Sequence, residues 1–314
     1  MSIYDSLFIC HNIYLHPALE TTVPPQPKLL TENLILCDFD EVLFKAEGND
    51  GYFHAWLERL AGEFPQQLAD HNVSGAEGLD RTYYNYKQQQ QDNFNGAMTY
   101  QELDDAWRKD LRKQGKQPSQ FDPVNFFRET LQIGETDFRR WLGKLEITSH
   151  DEASHGAPSL AEGYLHKGAA NLWTRIQQEQ NDSPGRVQGL IYTQGGTEYQ
   201  LHKIKAALGK DAANWAQVIA SGRKGKHIAD SYHEDVELYM WQTLGRLIIA
   251  DRVALIDDNE SHHENLPRIA SALGILVSSR EITIEKEMRP QLLRVDRTSQ
   301  IVPVLQKYSY LLAA

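Results

Sequence analysis

The chain has 314 residues, of which 41% are hydrophobic and 24% are charged, the composition of an ordinary folded protein rather than a disordered or fibrous one. The formal net charge is −11 and the acidic residues are spread along the whole length, so we expect no nucleic-acid partner. The two cysteines, Cys10 and Cys37, are too few for a disulfide framework and form no Cys-x-x-Cys zinc motif.

Residues 1–30 are predicted to form a polar N-terminal extension that ends in the Pro-rich stretch TTVPPQPKLL. The chain start lacks the basic segment and long apolar run of a signal peptide, and no window of eighteen residues is uninterruptedly apolar. We therefore expect a cytoplasmic protein without a transmembrane segment. Export by a route that reads another signal would leave no trace at this level.

The first strand is predicted over residues 33–37, within the sequence LILCDFDEVLF. Its apolar residues lead directly into two carboxylates, Asp38 and Asp40, an uncommon end for a buried strand. From residue 47 to residue 157 the apolar residues are instead spaced three and four apart, which predicts a block of helices. We expect the aromatic side chains of this block to form its own core, and substrate stacking by some of them stays open; they include Tyr83, Tyr84, Tyr86, Phe94 and Trp107.

After residue 158 helices and strands are predicted to alternate. The predicted helices cover residues 168–180, 197–208, 230–246 and 261–273, and the predicted strands cover residues 187–192, 216–220, 247–256 and 274–278. Strict alternation predicts an α/β fold with parallel strands and helices on both faces of the sheet. Residues 280–314 have mixed periodicity and are mildly basic, which leaves two alternatives: a helix packed on the core, or a segment that docks on an anionic membrane or a protein partner.

Polar side chains follow each core strand, where parallel sheets bind their ligands. In chain order they are Asp38 and Asp40, then Thr193, then Lys224 and Lys226, and then Asp257 and Asp258. Carboxylates gathered at one edge would repel each other unless a cation lay between them, and Mg²⁺ is the hard cation that prefers oxygen ligands. We therefore expect a magnesium site at this edge.

Four short motifs resemble those of the haloacid dehalogenase superfamily of aspartate-nucleophile phosphotransferases. They occur in the superfamily's order as LILCDFDEVLF, GLIYT, GRKGK and ALIDDN. The resemblance implies a Rossmann-like three-layer sandwich with a parallel sheet. It also implies domain boundaries: a catalytic core over residues 31–46 and 158–279, a type 1 helical cap over residues 47–157, and a C-terminal extension over residues 280–314.

The same resemblance implies roles for individual residues. Asp38 would attack phosphorus and become an aspartyl-phosphate, and Asp40 would act as the general acid and base. Thr193 would hydrogen-bond a phosphoryl oxygen, and a lysine would pair with Asp38. The choice of that lysine is close to even, with Lys226 preferred over Lys224, because the usual Lys-Pro pair is missing.

The metal site implied by the resemblance consists of the carboxylate of Asp38, the backbone carbonyl of Asp40 and the carboxylate of Asp258, with Asp257 beside them. After this acidic pair comes NESHHEN instead of a further aspartate, which leaves the outer partner of the metal open. Zinc is disfavoured because carboxylates dominate, and we expect the nearby histidines to lie on the surface; they are His227, His233, His262 and His263.

These observations favour a magnesium-dependent phosphomonoester hydrolase that acts through an aspartyl-phosphate. The expected substrate is a phosphorylated small molecule or a phosphopeptide. One alternative is a protein phosphatase for phosphotyrosine with the same mechanism, targeted by its C-terminal segment. An alternative of another class is a binding or scaffold protein that keeps the fold without turnover, although such a protein has no need of crowded carboxylates.

Overall fold

A computed structural model describes residues 28–46, 48, 50–94, 98–149, 151, 156, 158–219, 223–243, 245–266, 271–278 and 292–312. The predicted extension over residues 1–30 therefore lies outside the described residues, except for its last three. Those three already belong to the first strand, which is longer than the sequence pattern indicated.

The described part of the chain contains eight strands and twelve α-helices. The strands are β1 (Lys28–Cys37), β2 (Val187–Gln194), β3 (Ala216–Ile219), β4 (Tyr232–His233), β5 (Leu238–Thr243), β6 (Arg246–Asp257), β7 (Ala272–Val277) and β8 (Leu292–Val295). The helices before β2 are α1 (Tyr52–Glu63), α2 (Pro65–Asp70), α3 (Gly75–Phe94), α4 (Tyr100–Lys113), α5 (Pro123–Thr130), α6 (Glu135–Leu145) and α7 (Ala169–Asp182). Those after β2 are α8 (Thr197–Leu208), α9 (Lys210–Ala213), α10 (Lys224–Ser231), α11 (Glu260–His263) and α12 (Ile301–Lys307).

The sheet has a parallel core in the order β3, β2, β1, β6, β7, β8. The central strands β1 and β6 end in runs of fully buried apolar residues, as expected for parallel strands that are covered on both faces. Helices flank the sheet, and the predicted α/β fold with a mostly parallel sheet is confirmed. Among the helices of the described residues, none combines the length and apolar character needed to cross a bilayer.

The predicted helix over residues 230–246 is wrong. Its first residues belong to the end of α10, but β4 and β5 follow, and β5 pairs antiparallel with the first half of β6. Gly245 has φ +82° between β5 and β6, a conformation that suits a turn. The predicted helix over residues 261–273 is also wrong in extent: α11 spans four residues, β7 starts at Ala272, and residues 267–270 lie outside the described residues.

The helical block predicted over residues 47–157 contains α1 to α6, and its described residues contain no strand. Its core is aromatic: the rings of Tyr83 and Phe121 stack with centroids 5.4 Å apart, and Tyr86 meets Trp107 edge-on at 5.4 Å. Tyr84 and Phe94 are half exposed, so they are not part of that core. Most of the predicted aromatic core therefore lies where the helical spacing placed it.

The helical block contacts the start of α8. Gln120 Oε1 accepts a hydrogen bond from the Thr197 amide at 3.1 Å, and Arg139 forms an ion pair with Glu198 at 2.8 Å. A Cβ on Gly196 would lie 2.1 Å from the Cβ of Asp122, so only glycine permits this approach. The block thus lies directly against the loop that leaves β2.

The last described segment, residues 292–312, is part of the fold. β8 extends the sheet beside β7, and α12 buries Ile301 and Leu305. The Tyr310 hydroxyl donates to the Val253 carbonyl at 3.0 Å, which ties the end of the segment to β6. The apolar face of this helix is therefore occupied by the core.

Gly189 in β2 provides a test of the packing between the sheet and α7. A Cβ at this position would lie 2.2 Å from Cγ2 of Ile176, which is fully buried. We expect Gly189→Ala to lower the free energy of unfolding by about 1–3 kcal/mol, because the helix must move away from the strand. Urea denaturation measures this change.

Gly143 in α6 is the matched control, because it is exposed and a Cβ there meets no atom within 4 Å. Gly143→Ala should raise the free energy of unfolding by roughly 0.5–1 kcal/mol, since alanine restricts the unfolded chain and favours helix. Equal effects of the two substitutions would contradict the close packing of α7 on β2.

Candidate active site

The first and last acidic motifs meet at the carboxyl edge of the sheet. β1 and β6 are parallel neighbours in which Cys37 pairs with Ile256. The amide of the next residue, Asp38, donates to the carbonyl of Ile256 at 2.8 Å, so the ladder continues to the point where the carboxylates begin. This register places Asp38 beside Asp257, although the two residues are far apart in the sequence.

Lys224 lies between these two carboxylates. Its Nζ atom is 2.6 Å from Oδ2 of Asp38 and 2.7 Å from Oδ2 of Asp257, and the side chain is fully buried. Burial alone would lower the pKa of Lys224, but the two carboxylates outweigh it and raise the pKa above its usual value. The ammonium is thus held in its charged form at the centre of the edge.

The structure places Lys226, the lysine preferred from the sequence, in an exposed position. The difference arises because α10 begins at Lys224, and two residues along a helix turn a side chain by about 200°. Gly225 between them permits the close approach of α11, since a Cβ there would lie 2.3 Å from the His262 carbonyl oxygen. Lys224, the alternative in the sequence analysis, is the lysine that contacts Asp38.

Asp257 is surrounded by donors. Its Oδ1 accepts from the Asn259 amide at 2.8 Å, and His262 Nδ1 lies 3.0 Å from both carboxylate oxygens. Burial would raise the pKa of Asp257, but the hydrogen bond from His262 and the charge of Lys224 lower it below its usual value. Asp257 is therefore a fixed negative charge.

The expectation that the nearby histidines lie on the surface is wrong for two of them. His262 is largely buried against Asp257, and His263 is fully buried with Nε2 3.4 Å from the Asp257 carbonyl oxygen. The sequence signal for His262 was its position five residues after Asp257, in the stretch that replaces the expected further aspartate.

Asp38 has two different oxygens. Oδ1 accepts from the Phe39 amide at 2.8 Å, and Oδ2 contacts Lys224. Burial, opposed by Lys224 but assisted by the charges of Asp257 and Asp40, raises the pKa of Asp38 to about 7. A further positive charge at this edge would favour the ionised carboxylate.

Asp258, the second residue of the acidic pair, has an environment different from that of Asp257. Burial and the neighbouring charge of Asp257 raise its pKa to about 6, and among the described residues no basic side chain forms an ion pair with it. Ligand atoms of Asp38, Asp257 and His262 also lie within 4.8 Å of one another, a spacing that a metal ion accepts. Lys224 already lies between the first two of these side chains.

Thr193 is the penultimate residue of β2, whose residue Ile191 pairs with Cys37 of β1. Its side chain is buried, and Oγ1 has no hydrogen-bond partner within the described residues. An unpaired buried hydroxyl costs about 1–3 kcal/mol, so Oγ1 is available to a water molecule or to an oxygen of a ligand.

Asp40 is held by helix α8, a contact that the sequence analysis missed. Lys203 Nζ lies 2.5 Å from Oδ1 and 2.7 Å from Oδ2, and Gln200 Nε2 lies 2.8 Å from Oδ2. The side chains of Lys203 and Gln200 are both buried. Their spacing of three residues on a predicted helix was the signal, but such spacing is common on any helix face.

No protein-family model matches the chain, and no curated protein sequence matches it. Solved structures do match. YfnB from Bacillus subtilis, assigned as a HAD-hydrolase and solved with magnesium, is 13% identical, with coverage of 88% of this chain and 99% of that chain and a TM-score of 0.41.

Two further matches belong to the same superfamily. An assigned haloacid dehalogenase-like hydrolase from Burkholderia xenovorans is 13% identical, with coverage of 89% and 99% and a TM-score of 0.42. A haloacid dehalogenase-like family hydrolase from Xanthomonas campestris is 12% identical, with coverage of 89% and 96% and a TM-score of 0.38. At these identities and TM-scores the matches carry no conclusion about superfamily, substrate or mechanism, so the resemblance carried by the motifs stays a prediction.

The contacts of Lys224 generate a prediction about stability. Lys224→Met would leave two buried carboxylates facing each other, so we expect the free energy of unfolding at neutral pH to fall by about 3–5 kcal/mol. Lys226→Met, two residues along the same helix, should change it by no more than roughly 0.5 kcal/mol because Lys226 is exposed. Denaturation of both variants in parallel checks this, and a larger loss for Lys226→Met would refute the assignment of Lys224.

Proposed function

We propose that the chain is a magnesium-dependent phosphomonoester hydrolase that forms an aspartyl-phosphate on Asp38. The observation that supports this most strongly is the buried Lys224 ammonium, which contacts Asp38 and Asp257 at the ends of two parallel strands. Phosphoryl transfer requires mainly position and charge compensation, and these groups provide both.

In the proposed reaction a carboxylate oxygen of Asp38 forms a bond to phosphorus while the bond from phosphorus to the alcohol oxygen breaks. The leaving oxygen keeps the bonding electron pair and takes a proton from Asp40. Water then attacks phosphorus and gives a proton to Asp40, which releases phosphate and restores Asp38. Lys224 keeps its proton throughout and compensates the negative charge.

Thr193 would donate its hydroxyl proton to a phosphoryl oxygen, which would satisfy the buried Oγ1 atom. The carboxylates of Asp38 and Asp258 and the backbone carbonyl of Asp40 would hold Mg²⁺. Bound magnesium supplies positive charge that opposes the repulsion between the carboxylates and the phosphoryl group. We assign Asp257 an outer role, because Lys224 and His262 already occupy its oxygens.

We further propose that residues 47–157 act as a cap over this edge, with the core formed by residues 31–46 and 158–279. The contacts of Gln120 with Thr197 and of Arg139 with Glu198 hold the helical block against the loop after β2. A cap in contact with the site loop favours a small phosphorylated molecule over a phosphopeptide. Docking through the apolar face of α12 is disfavoured, because Ile301 and Leu305 are buried; residues 280–291 of the C-terminal segment lie outside the described residues.

Hydrolysis of p-nitrophenyl phosphate tests the proposed function. We expect Asp38→Asn to reduce kcat by at least about a thousandfold, since the amide cannot form the phosphoenzyme, and a chelator should abolish the wild-type rate until magnesium is restored. Asp137→Asn is the control, because Asp137 is largely exposed and pairs with Arg140 on the helical block. Mass spectrometry of acid-quenched wild-type protein should find the phosphoryl group on Asp38.

Equal rates for wild type and Asp38→Asn would refute the aspartyl-phosphate mechanism. Absence of turnover in the wild type across phosphorylated sugars, nucleotides and phosphopeptides would favour the scaffold alternative. A preference for phosphotyrosine peptides would instead favour the protein phosphatase alternative.

A further inference from the structure

The contacts of Asp40 carry an inference beyond the four motifs. Asp40 follows β1, but its carboxylate is held by α8, which follows β2. Lys203 approaches both oxygens, at 2.5 Å and 2.7 Å, and Gln200 donates to Oδ2 at 2.8 Å. Three close contacts from one helix leave this carboxylate a single orientation.

Lys203 is costly to bury without this partner. The side chain is 2% exposed, and Nζ lies over the rings of Tyr199 and Phe39, 5.1 Å and 5.9 Å from their centroids. Ring faces attract an ammonium only weakly, so the charge is retained in this position chiefly through Asp40. Lys203 and Asp40 thus form their ion pair at the carboxyl edge of the sheet, beside the proposed catalytic site.

Gln200 connects Asp40 to the strand that carries Thr193. Its Nε2 atom donates to the Gln194 carbonyl at 2.8 Å as well as to Asp40. Gly195, with φ +139°, lets the loop pass beside it, since a Cβ there would lie 2.8 Å from Nε2. Gln200 therefore fixes the position of Asp40 relative to the end of β2, where the phosphoryl group would lie.

The two aspartates of the first motif consequently have separate cations. Lys224 of α10 serves Asp38, and Lys203 of α8 serves Asp40. The two carboxylates can therefore have different roles in the proposed reaction. Asp38 attacks phosphorus, and Asp40 gives a proton to the alcohol and then takes one from water. The two donors fix where the oxygens of Asp40 lie, and the proton that Asp40 gives to the leaving oxygen would be carried on a lone pair that these donors leave open.

We propose that Lys203 and Gln200 are positioning residues that hold Asp40 in place for proton transfer to the leaving group. This inference rests on the proposed function and goes beyond the roles implied by the motifs. It predicts that loss of Lys203 matters more as the leaving group becomes more basic, because a basic alkoxide depends more on a placed proton donor.

The test compares kcat/KM for p-nitrophenyl phosphate, phenyl phosphate and an alkyl phosphate. We expect Lys203→Met to reduce kcat/KM by about tenfold for p-nitrophenyl phosphate and by about 10²–10³-fold for the alkyl phosphate. Asp40→Asn should show the same trend, and the double variant should be little worse than Asp40→Asn alone, because the two residues act as one unit. Lys203→Arg should recover part of the loss.

Lys205→Met is the matched control, since Lys205 lies on the same helix, is partly exposed and is 3.9 Å from Glu146. It should leave all three substrates unaffected. Gln200→Met provides a second variant in case Lys203→Met does not fold, and it should give the same trend with a smaller loss.

Several outcomes would overturn the inference. A loss that is equal for the three substrates would mean that the pair only stabilises the fold, as would effects of Lys203→Met and Asp40→Asn that add in the double variant. These results would leave the proposed function intact if Asp38→Asn still abolished turnover. Wild-type protein without turnover, or Asp38→Asn with wild-type rates, would overturn both proposals.

Discussion

The candidate site depends on one buried ammonium between two buried carboxylates. Without Lys224, the register of β1 and β6 would bring Asp38 and Asp257 together with no ammonium between them, which is unfavourable in a region of low dielectric. The start of α10 at this lysine and the absence of a side chain at Gly225 both serve that contact. Local helix geometry and sheet register therefore have to agree for the edge to form.

A second buried lysine gives the edge its asymmetry. Lys203 contacts Asp40 from α8, while His262 and the Asn259 amide complete the surroundings of Asp257. Asp40 and Asp257 thus have different hydrogen-bond donors, and their environments differ in charge and in burial. Asp258 differs from both, because burial and the neighbouring charge of Asp257 raise its pKa to about 6.

The sequence predicted the parallel strands well, because their continuous apolar runs leave few alternatives for central positions. It failed at residues 230–246, where the pairing of β5 with β6 overrode a pattern that also suits a helix. The choice between Lys224 and Lys226 depends on the residue at which α10 begins, and helix ends are poorly determined by sequence. The contact between Lys203 and Asp40 was beyond reach because it joins a helix face to a loop across the fold.

The pairing of Cys37 with Ile256 also affects how this protein folds during synthesis. The two strands that carry the acidic motifs are separated by roughly 200 residues of chain, and contacts of such separation form late and slowly. During synthesis β2 emerges first and can pair with one edge of β1, while the other edge of β1 stays unpaired until β6 has emerged. A nascent chain that stops after the helical block would lack β2, β6 and Asp257, so the candidate site could not form.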